Sequence, residues 1–442
     1  MENSKERVGH RIVIVGGGVA GVEVASALGR YWSKRRRRTR RDTPRIILVD
    51  RDSAHVWKPM LHTIAAGTRD ISQQQTTYLA QAREAGFNYQ PGELQGLDRD
   101  AKEIIIGPIH APDGRLLVRQ RRLGYDTLIM ALGSQANDFG TPGVAEHCHN
   151  IDSRGQADDF NKEIRVRMLQ SQAQGGNLSI AIVGGGATGV ELAAELVQLT
   201  ETAVAYGAHG LTERISITLM EGGPRLLAAF PEDISAATRT RLEALGINVM
   251  TDTRVSAADA EAFILSDGKR VPSTLKVWAA GVKAPDFLQN LGGLESNRNN
   301  QLMVLPSLQT TLDPAIFAIG DCASLILPGA ERPLPSTAQV AHQQARHLIK
   351  HLPDSIAQGK PIPDFRYRDL GALVSLGEYD AYGSLGKFGL FNGVTIRGRI
   401  AQFSHVMLYR SHQARLHGFW RGGLLWLVDI LNSRLRASIR LD

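Results

Sequence analysis

Only two cysteines occur among the 442 residues, Cys148 and Cys322. They lie far apart and form no CxxC pair, which excludes a disulfide framework and a cysteine-ligated zinc or iron–sulfur centre and fits a reducing compartment. His405, His412 and His417 lack a compact ligand spacing, so no metal is expected. Long apolar runs are missing as well. None approaches the roughly 20 residues that a spanning helix needs. The opening MENSKERVGHRIVIVGGG is charged where a secretory leader would be apolar, so no cleaved export signal is expected.

What is present is enough for a large core. At 43% hydrophobic and 21% charged residues, the chain reads as globular, with two or three domains. The formal charge of +7 is unevenly spread, because residues 385–442 hold nine basic residues against Asp429 and Asp442 and so carry the whole excess. That concentration points to an anionic surface near the C-terminal segment. A second basic tract, SKRRRRTRRD at residues 33–42, reads as a solvated loop following a helix over residues 19–31.

One pattern occurs twice. RIVIV at residues 11–15 runs into Gly16, Gly18 and Gly21 of a GxGxxG turn, then a helix, then the strand RIILVD ending on Asp50. LSIAIV at 178–183 runs into Gly184, Gly186 and Gly189, a helix containing VELAAELVQLT, and the strand RISITLM followed by Glu221. A strand, a glycine turn and a helix together form a pyrophosphate cradle, and the acid after the second strand is placed for a ribose diol. Both acids come later than the short form of the motif predicts. The basic tract accounts for the first delay, and a longer helix with a loop at 206–210 for the second. An acid at an NAD-type site repels a 2′-phosphate, so Glu221 favours NADH, with Arg225 close behind it as a candidate partner for that phosphate. Further strands are predicted at 274–279 and 316–319, a helix at 337–350, and a boundary in the Pro-rich stretch 353–363.

A third element, IFAIGDCA at 316–323, puts Gly320 and Asp321 just after a late strand. With it the chain resembles the two-dinucleotide-binding-domain flavoproteins, in which an N-terminal fold holds FAD, an inserted fold holds NAD(P)H, and the GD aspartate bonds the ribityl chain. MALGS at 130–134 resembles that family's interdomain link, with Leu132 where threonine is usual. HVWKPMLHTIAAG (55–67), SQANDFGTPGV (134–144), GGGATGVELAAEL (184–196), WAAGVKAP (278–285), STAQVAHQQA (336–345) and FRYRDLGALVSLGEY (365–379) narrow the resemblance to the type II NADH dehydrogenases, the non-pumping NADH:quinone oxidoreductases. It covers residues 11 to the mid-380s. The last 50 or so residues match that family's membrane-associated end in general character only.

The implied fold is α/β, with two Rossmann-like dinucleotide-binding domains and a C-terminal membrane-associating segment. FAD would take residues 1–155 and 286–360, NADH 156–285, and the membrane region 361–442. The resemblance places Lys58 and Pro59 beside the flavin, Gly281 and the second glycine turn with NADH, and Glu191 near the nicotinamide and the quinone route. Ala338 and Gln339 go to the flavin, and Gln339 with Gln343 to the quinone; the glutamines share a helix face at i and i+4. His342 lies off that face and reads as a surface histidine. The helix starting near Ser336 is expected to aim its positive end at the flavin. The implied reaction is ping-pong, with NADH reducing the flavin and the flavin passing two electrons to a membrane quinone, ubiquinone or menaquinone, without proton pumping. The enzyme would be peripheral, on the cytoplasmic face of the inner membrane, with no nucleic-acid partner and with room for a homodimer.

Too few cysteines remain for a disulfide reductase or a sulfide:quinone reductase of this fold. Two other readings stay open: a soluble NADH-dependent reductase of a redox protein, and a non-catalytic protein that senses FAD and NADH. The C-terminal stretch 416–441, LHGFWRGGLLWLVDILNSRLRASIRL, suits lying on a membrane rather than crossing it. A dimerisation or domain-packing helix is its plainer alternative.

Overall fold

The computed structural model describes residues 9–39, 43–68, 76–377, 379–385 and 395–435. Its contacts divide the chain into two compact units. One comprises residues 1–56, 75–135 and 282–367; the other comprises 57–74, 136–281 and 368–442.

The first unit is built on a six-stranded sheet. Its order runs Gln309–Thr310, Asp313–Ala318, Thr127–Met130, Arg11–Val15, Arg45–Asp50, Asn88–Pro91, and every pairing is parallel except the edge hairpin. Such strands are covered on both faces and so read as continuous apolar runs; Ile12, Val13 and Ile14 are wholly buried. The chain leaves Arg11–Val15 to one side first and to the other later, and the crevice at that reversal is where open α/β sheets bind ligands.

The second unit repeats the plan with four parallel strands, in the order Asn248–Met250, Ile215–Met220, Leu178–Val183, Leu275–Trp278. The repetition reaches individual atoms. Gly16 N donates to Val49 O at 2.8 Å, and Gly184 N donates to Met220 O at 2.8 Å. Two Rossmann-like α/β folds are therefore present.

Two local expectations change. The helix opened by the first glycine turn spans Val19–Thr39, so the basic tract is helical through Thr39, while residues 40–42 lie outside the described residues. Arg and Lys are good helix formers, and the Arg35 guanidinium sits 5.9 Å from the ring of buried Trp32. The late helix runs Ala338–Gln358 and carries Pro353 inside it. Leu348, Leu352 and Pro353 are buried together, and this packing offsets the hydrogen bond that proline removes.

After a three-stranded antiparallel sheet (Gly371–Leu376, Asp380–Leu385, Thr395–Arg397) the chain forms two helices, Arg399–His417 and Phe419–Leu435. The first buries Ala401, Tyr409, His412 and Leu416, with the His412 ring 4.2 Å from that of Trp57. Arg410 Nη1 and Asp429 Oδ2 join the two helices at 2.5 Å. Their other faces leave Ile400, Phe403, Trp420 and Leu424 between 60% and 83% exposed. Among the described residues no helix is long and apolar enough to cross a membrane. Lys387, Arg436 and Arg440 lie outside the described residues.

Candidate functional site

What a side chain would meet separates the roles of the three turn glycines. A Cβ on Gly16 would lie 2.3 Å from the Ala131 carbonyl oxygen, and one on Gly21 would lie 1.8 Å from that of Gly16. At Gly18 nothing lies within 4 Å. Packing thus demands the outer glycines, while the middle one keeps open the face toward which the helix N-terminal amides point. The second turn repeats this, with 2.5 Å from Gly184 to Ala279 O, 2.0 Å from Gly189 to Gly184 O, and open space at Gly186. Both turns fit the pyrophosphate of a dinucleotide.

The acids stand where the sequence puts them, and they also hold the turns. Asp50 accepts from the amides of Gly17 and Asp52. Burial nevertheless pushes its carboxyl up to about 6. Glu221 Oε2 accepts from Gly185 N and Oε1 from Gly223 N, both at 2.7 Å. Arg225, the candidate phosphate partner, donates instead to the carbonyls of Ala228 at 2.8 Å and Phe230 at 2.9 Å. Both its terminal nitrogens hold the loop. Wild-type kcat/KM for NADH should exceed that for NADPH by roughly tenfold or more, about 1.4 kcal/mol, and Glu221→Gln should narrow the gap. Equal or better use of NADPH by the wild type would contradict this role.

Two residues at the first turn went unassigned in the sequence. The buried Tyr78 hydroxyl donates to Gly17 O at 2.8 Å, and the buried His55 places Nδ1 2.9 Å from the same oxygen. They lie 61 and 38 residues away in sequence, with no local pattern to announce them.

Gly320 takes φ +73° and donates its amide to Gln344 Oε1 at 2.7 Å. This lets Asp321 turn beside Ser134, whose hydroxyl donates to Oδ2 at 2.7 Å. Gln344, fully buried one position beyond the predicted Gln343, is thus the glutamine that shapes this turn. Gln339 and Gln343 are half-buried on the same helix, and Gln339 Nε2 donates to Tyr367 Oη at 3.0 Å. Ala338 is the first helical residue, behind a Thr337 cap that accepts from Val340 N. His342 is not the surface residue its position suggests: Nδ1 lies 2.5 Å from Oε2 of buried Glu23, across to the helix of the glycine turn.

The remaining predicted residues belong to the second unit. Lys58 and Pro59 are half-buried at the start of a 3-10 turn, Lys58–Met60. The Asp152 carboxyl is raised by burial, against the pull of Lys58 and of the Ala136 amide at 2.5 Å. Gly281 takes φ +77°, and a Cβ there would meet the Phe139 ring at 2.9 Å. Glu191 is buried in the helix Ala187–Ala205, 3.3 Å from His62. Buried Cys322 donates weakly to the carbonyls of Ile319 and Met130. Among the described residues no group of three His, Cys, Asp or Glu could hold a metal.

Residues 10–345 match the family described as pyridine nucleotide-disulphide oxidoreductase. Type II NADH:quinone oxidoreductase of Haemophilus influenzae is 40% identical over 97% of this chain and 99% of its own. The enzyme of that name from Staphylococcus saprophyticus is 27% identical over 89% of this chain and 92% of its own. NDH2 from Plasmodium falciparum, solved in complex with NADH, superposes with a TM-score of 0.81 at 20% identity, covering 98% of this chain and 99% of that one. With both glycine turns, both strand-end acids and the GD turn in place, the chain belongs to the type II NADH:quinone oxidoreductases, within the pyridine nucleotide-disulphide oxidoreductase family.

Proposed function

We infer that the chain binds FAD and NADH, oxidises NADH, and delivers two electrons to a quinone without pumping protons. The observation that carries this is the pair of matched dinucleotide turns in a member of that family whose two cysteines, Cys148 and Cys322, are both free thiols rather than a redox disulfide. Bound FAD supplies the chemistry, accepting a hydride equivalent from NADH and passing two electrons on to the quinone. Membership of the quinone-reducing family sets aside a reductase serving a redox protein and a sensing role.

The residues divide the work as follows. Gly16, Gly18, Gly21 and Asp50 hold the FAD pyrophosphate and ribose, and Asp321 the ribityl chain; Lys58, Pro59, Gly320, Ala338 and Gln339 complete the flavin site. Gly184, Gly186, Gly189, Glu221 and Gly281 hold NADH. Glu191, Gln339 and Gln343 serve the quinone half-reaction. The functional division follows the dinucleotides, with 1–155 and 286–360 for FAD, 156–285 for NADH and 361–442 for the membrane. Replacing Gln343 by Leu should slow quinone reduction roughly tenfold while leaving flavin reduction by NADH nearly unchanged, since one lost hydrogen bond is worth about 1 kcal/mol or more when its partner stays buried. Equal loss in both half-reactions, measured by stopped flow, would assign it to flavin support instead.

The two C-terminal helices carry the membrane contact in this reading, on the cytoplasmic face, where ubiquinone or menaquinone is met. Their exposed apolar residues enter the acyl boundary while arginines such as Arg399 and Arg421 meet anionic headgroups, each basic contact contributing about 1 kcal/mol. A homodimer is compatible with this arrangement and is tested by light scattering on the detergent-free protein.

A further inference from the structure

Two buried side chains converge on one backbone oxygen in the first glycine turn. The Tyr78 hydroxyl donates to Gly17 O at 2.8 Å, and His55 Nδ1 lies 2.9 Å from the same atom. A carbonyl oxygen only accepts, so Nδ1 carries a hydrogen and both contacts are donations. Burial, reinforced by Asp50 and Asp52, raises the Tyr78 hydroxyl well above its ordinary value and keeps it a donor. Closure of the turn does not require the pair, because Gly16 N already bonds to Val49 O and Gly17 N to Asp50.

Both donors are fixed by their own elements. Tyr78 opens the helix Tyr78–Ala85, and its amide donates to Ser53 O at 3.0 Å. On the same helix Gln81 Nε2 donates to Ser26 Oγ, on the helix of the glycine turn, at 3.0 Å. His55 lies opposite Thr76 in the ladder that pairs Ala54–His55 with Thr76–Thr77. A Cβ on Gly17 would lie 2.2 Å from the Tyr78 hydroxyl oxygen, so the tyrosine is what demands a glycine between Gly16 and Gly18.

The Gly17–Gly18 peptide is trans, so the Gly18 N–H lies antiparallel to the Gly17 carbonyl. Anchoring the oxygen therefore aims the Gly18 amide away from Tyr78 and His55. No acceptor among the described residues takes that amide, and a Cβ on Gly18 would meet nothing within 4 Å. It is one of the helix-opening donors that an anion satisfies. The second turn is anchored differently: Leu227 N donates to Gly185 O at 2.8 Å. One backbone amide stands there where the first turn has two side chains.

We propose that Tyr78 and His55 are positioning residues for FAD, holding the Gly17 carbonyl so that the Gly18 amide is aimed at the pyrophosphate before the cofactor arrives. Preorganisation of this kind tightens binding by removing an ordering cost. The double side-chain anchor belongs to the nucleotide that stays bound, and the single backbone anchor to the one exchanged at every turnover. The proposal rests on the assignment of the first turn to FAD.

The test uses the full chain and the variants Tyr78→Phe, His55→Leu, the two combined, and His55→Asn, which returns an N–H donor. Protein freed of its flavin is titrated with FAD and with riboflavin, which lacks the pyrophosphate and so separates aiming from general support of the fold. FAD should bind roughly fivefold more weakly in Tyr78→Phe or His55→Leu, the worth of one net hydrogen bond, and more weakly still in the double variant. Riboflavin affinity should change less than about twofold, and His55→Asn should recover most of the FAD affinity that His55→Leu loses. Release of FAD from the flavin-loaded protein on dilution, followed by flavin fluorescence, should rank the variants in the same order. Unchanged FAD affinity in the double variant, equal weakening of FAD and riboflavin, or a loss in His55→Asn as large as that in His55→Leu overturns the proposal. If the variants instead weaken NAD+ binding and leave FAD untouched, the assignment of the first turn to FAD has failed, and the anchor's role in FAD binding with it.

Discussion

Asp321→Ala should purify largely without flavin. The carboxylate is held on one side by the Ser134 hydroxyl, and its backbone carbonyl accepts from Gln301 Nε2 at 2.9 Å, so the group is oriented before any ligand arrives. A hydrogen bond from a ribityl hydroxyl to an oriented charge contributes about 1.5–3 kcal/mol. Its loss weakens retention roughly ten- to hundredfold. The fold should survive, because the Gly320 turn is fixed by Gln344 rather than by the aspartate side chain. Absorbance of the purified variant, compared with its far-ultraviolet circular dichroism, reads both quantities. A folded variant with full flavin stoichiometry would remove Asp321 from the flavin site.

Trp420→Glu combined with Leu424→Glu should release the protein from anionic vesicles. Trp420 is 83% exposed and Leu424 is 63% exposed, one turn apart on the last helix, with Leu427 and Leu431 continuing the stripe. Burial of each large apolar side chain in the acyl boundary is worth about 1.5–3 kcal/mol. Two carboxylates in their place remove this and add repulsion from the headgroups. Flavin content and NADH oxidation with a water-soluble acceptor should persist, because most of each side chain is exposed. Cosedimentation with phosphatidylglycerol vesicles at low and moderate salt decides the matter. Undiminished binding would move the anchor elsewhere, first to the exposed Lys34, Arg35 and Arg36 at the end of the first long helix.

Both dinucleotide folds were legible because each is a local device: a strand, a turn and a helix within about 40 residues, with small residues where backbones touch. The acids Asp50 and Glu221 were legible for the same reason. Long-range partners were not. The Gly17 carbonyl is held by Tyr78 and His55, and the His342 ring meets Glu23 319 positions away, contacts that no helical or strand period encodes. Gln344, which accepts from the Gly320 amide, went unassigned because it lies one helical step of about 100° from Gln343, off the face that i, i+4 spacing picks out. Pro353 and the arginines after residue 33 were read as breaks because local propensity and charge argue for them, whereas packing along one helix face and solvent exposure along the other kept both segments helical.

One measurement tests the central claim most directly. Anaerobic wild-type protein with its flavin bound is mixed with one equivalent of NADH, then with one equivalent of a short-chain quinone, while flavin absorbance is followed. Bleaching by NADH and full recovery on quinone addition, each within the turnover time, is the predicted result. Flavin that NADH does not bleach, or that stays bleached when the quinone is added, would contradict an NADH:quinone oxidoreductase.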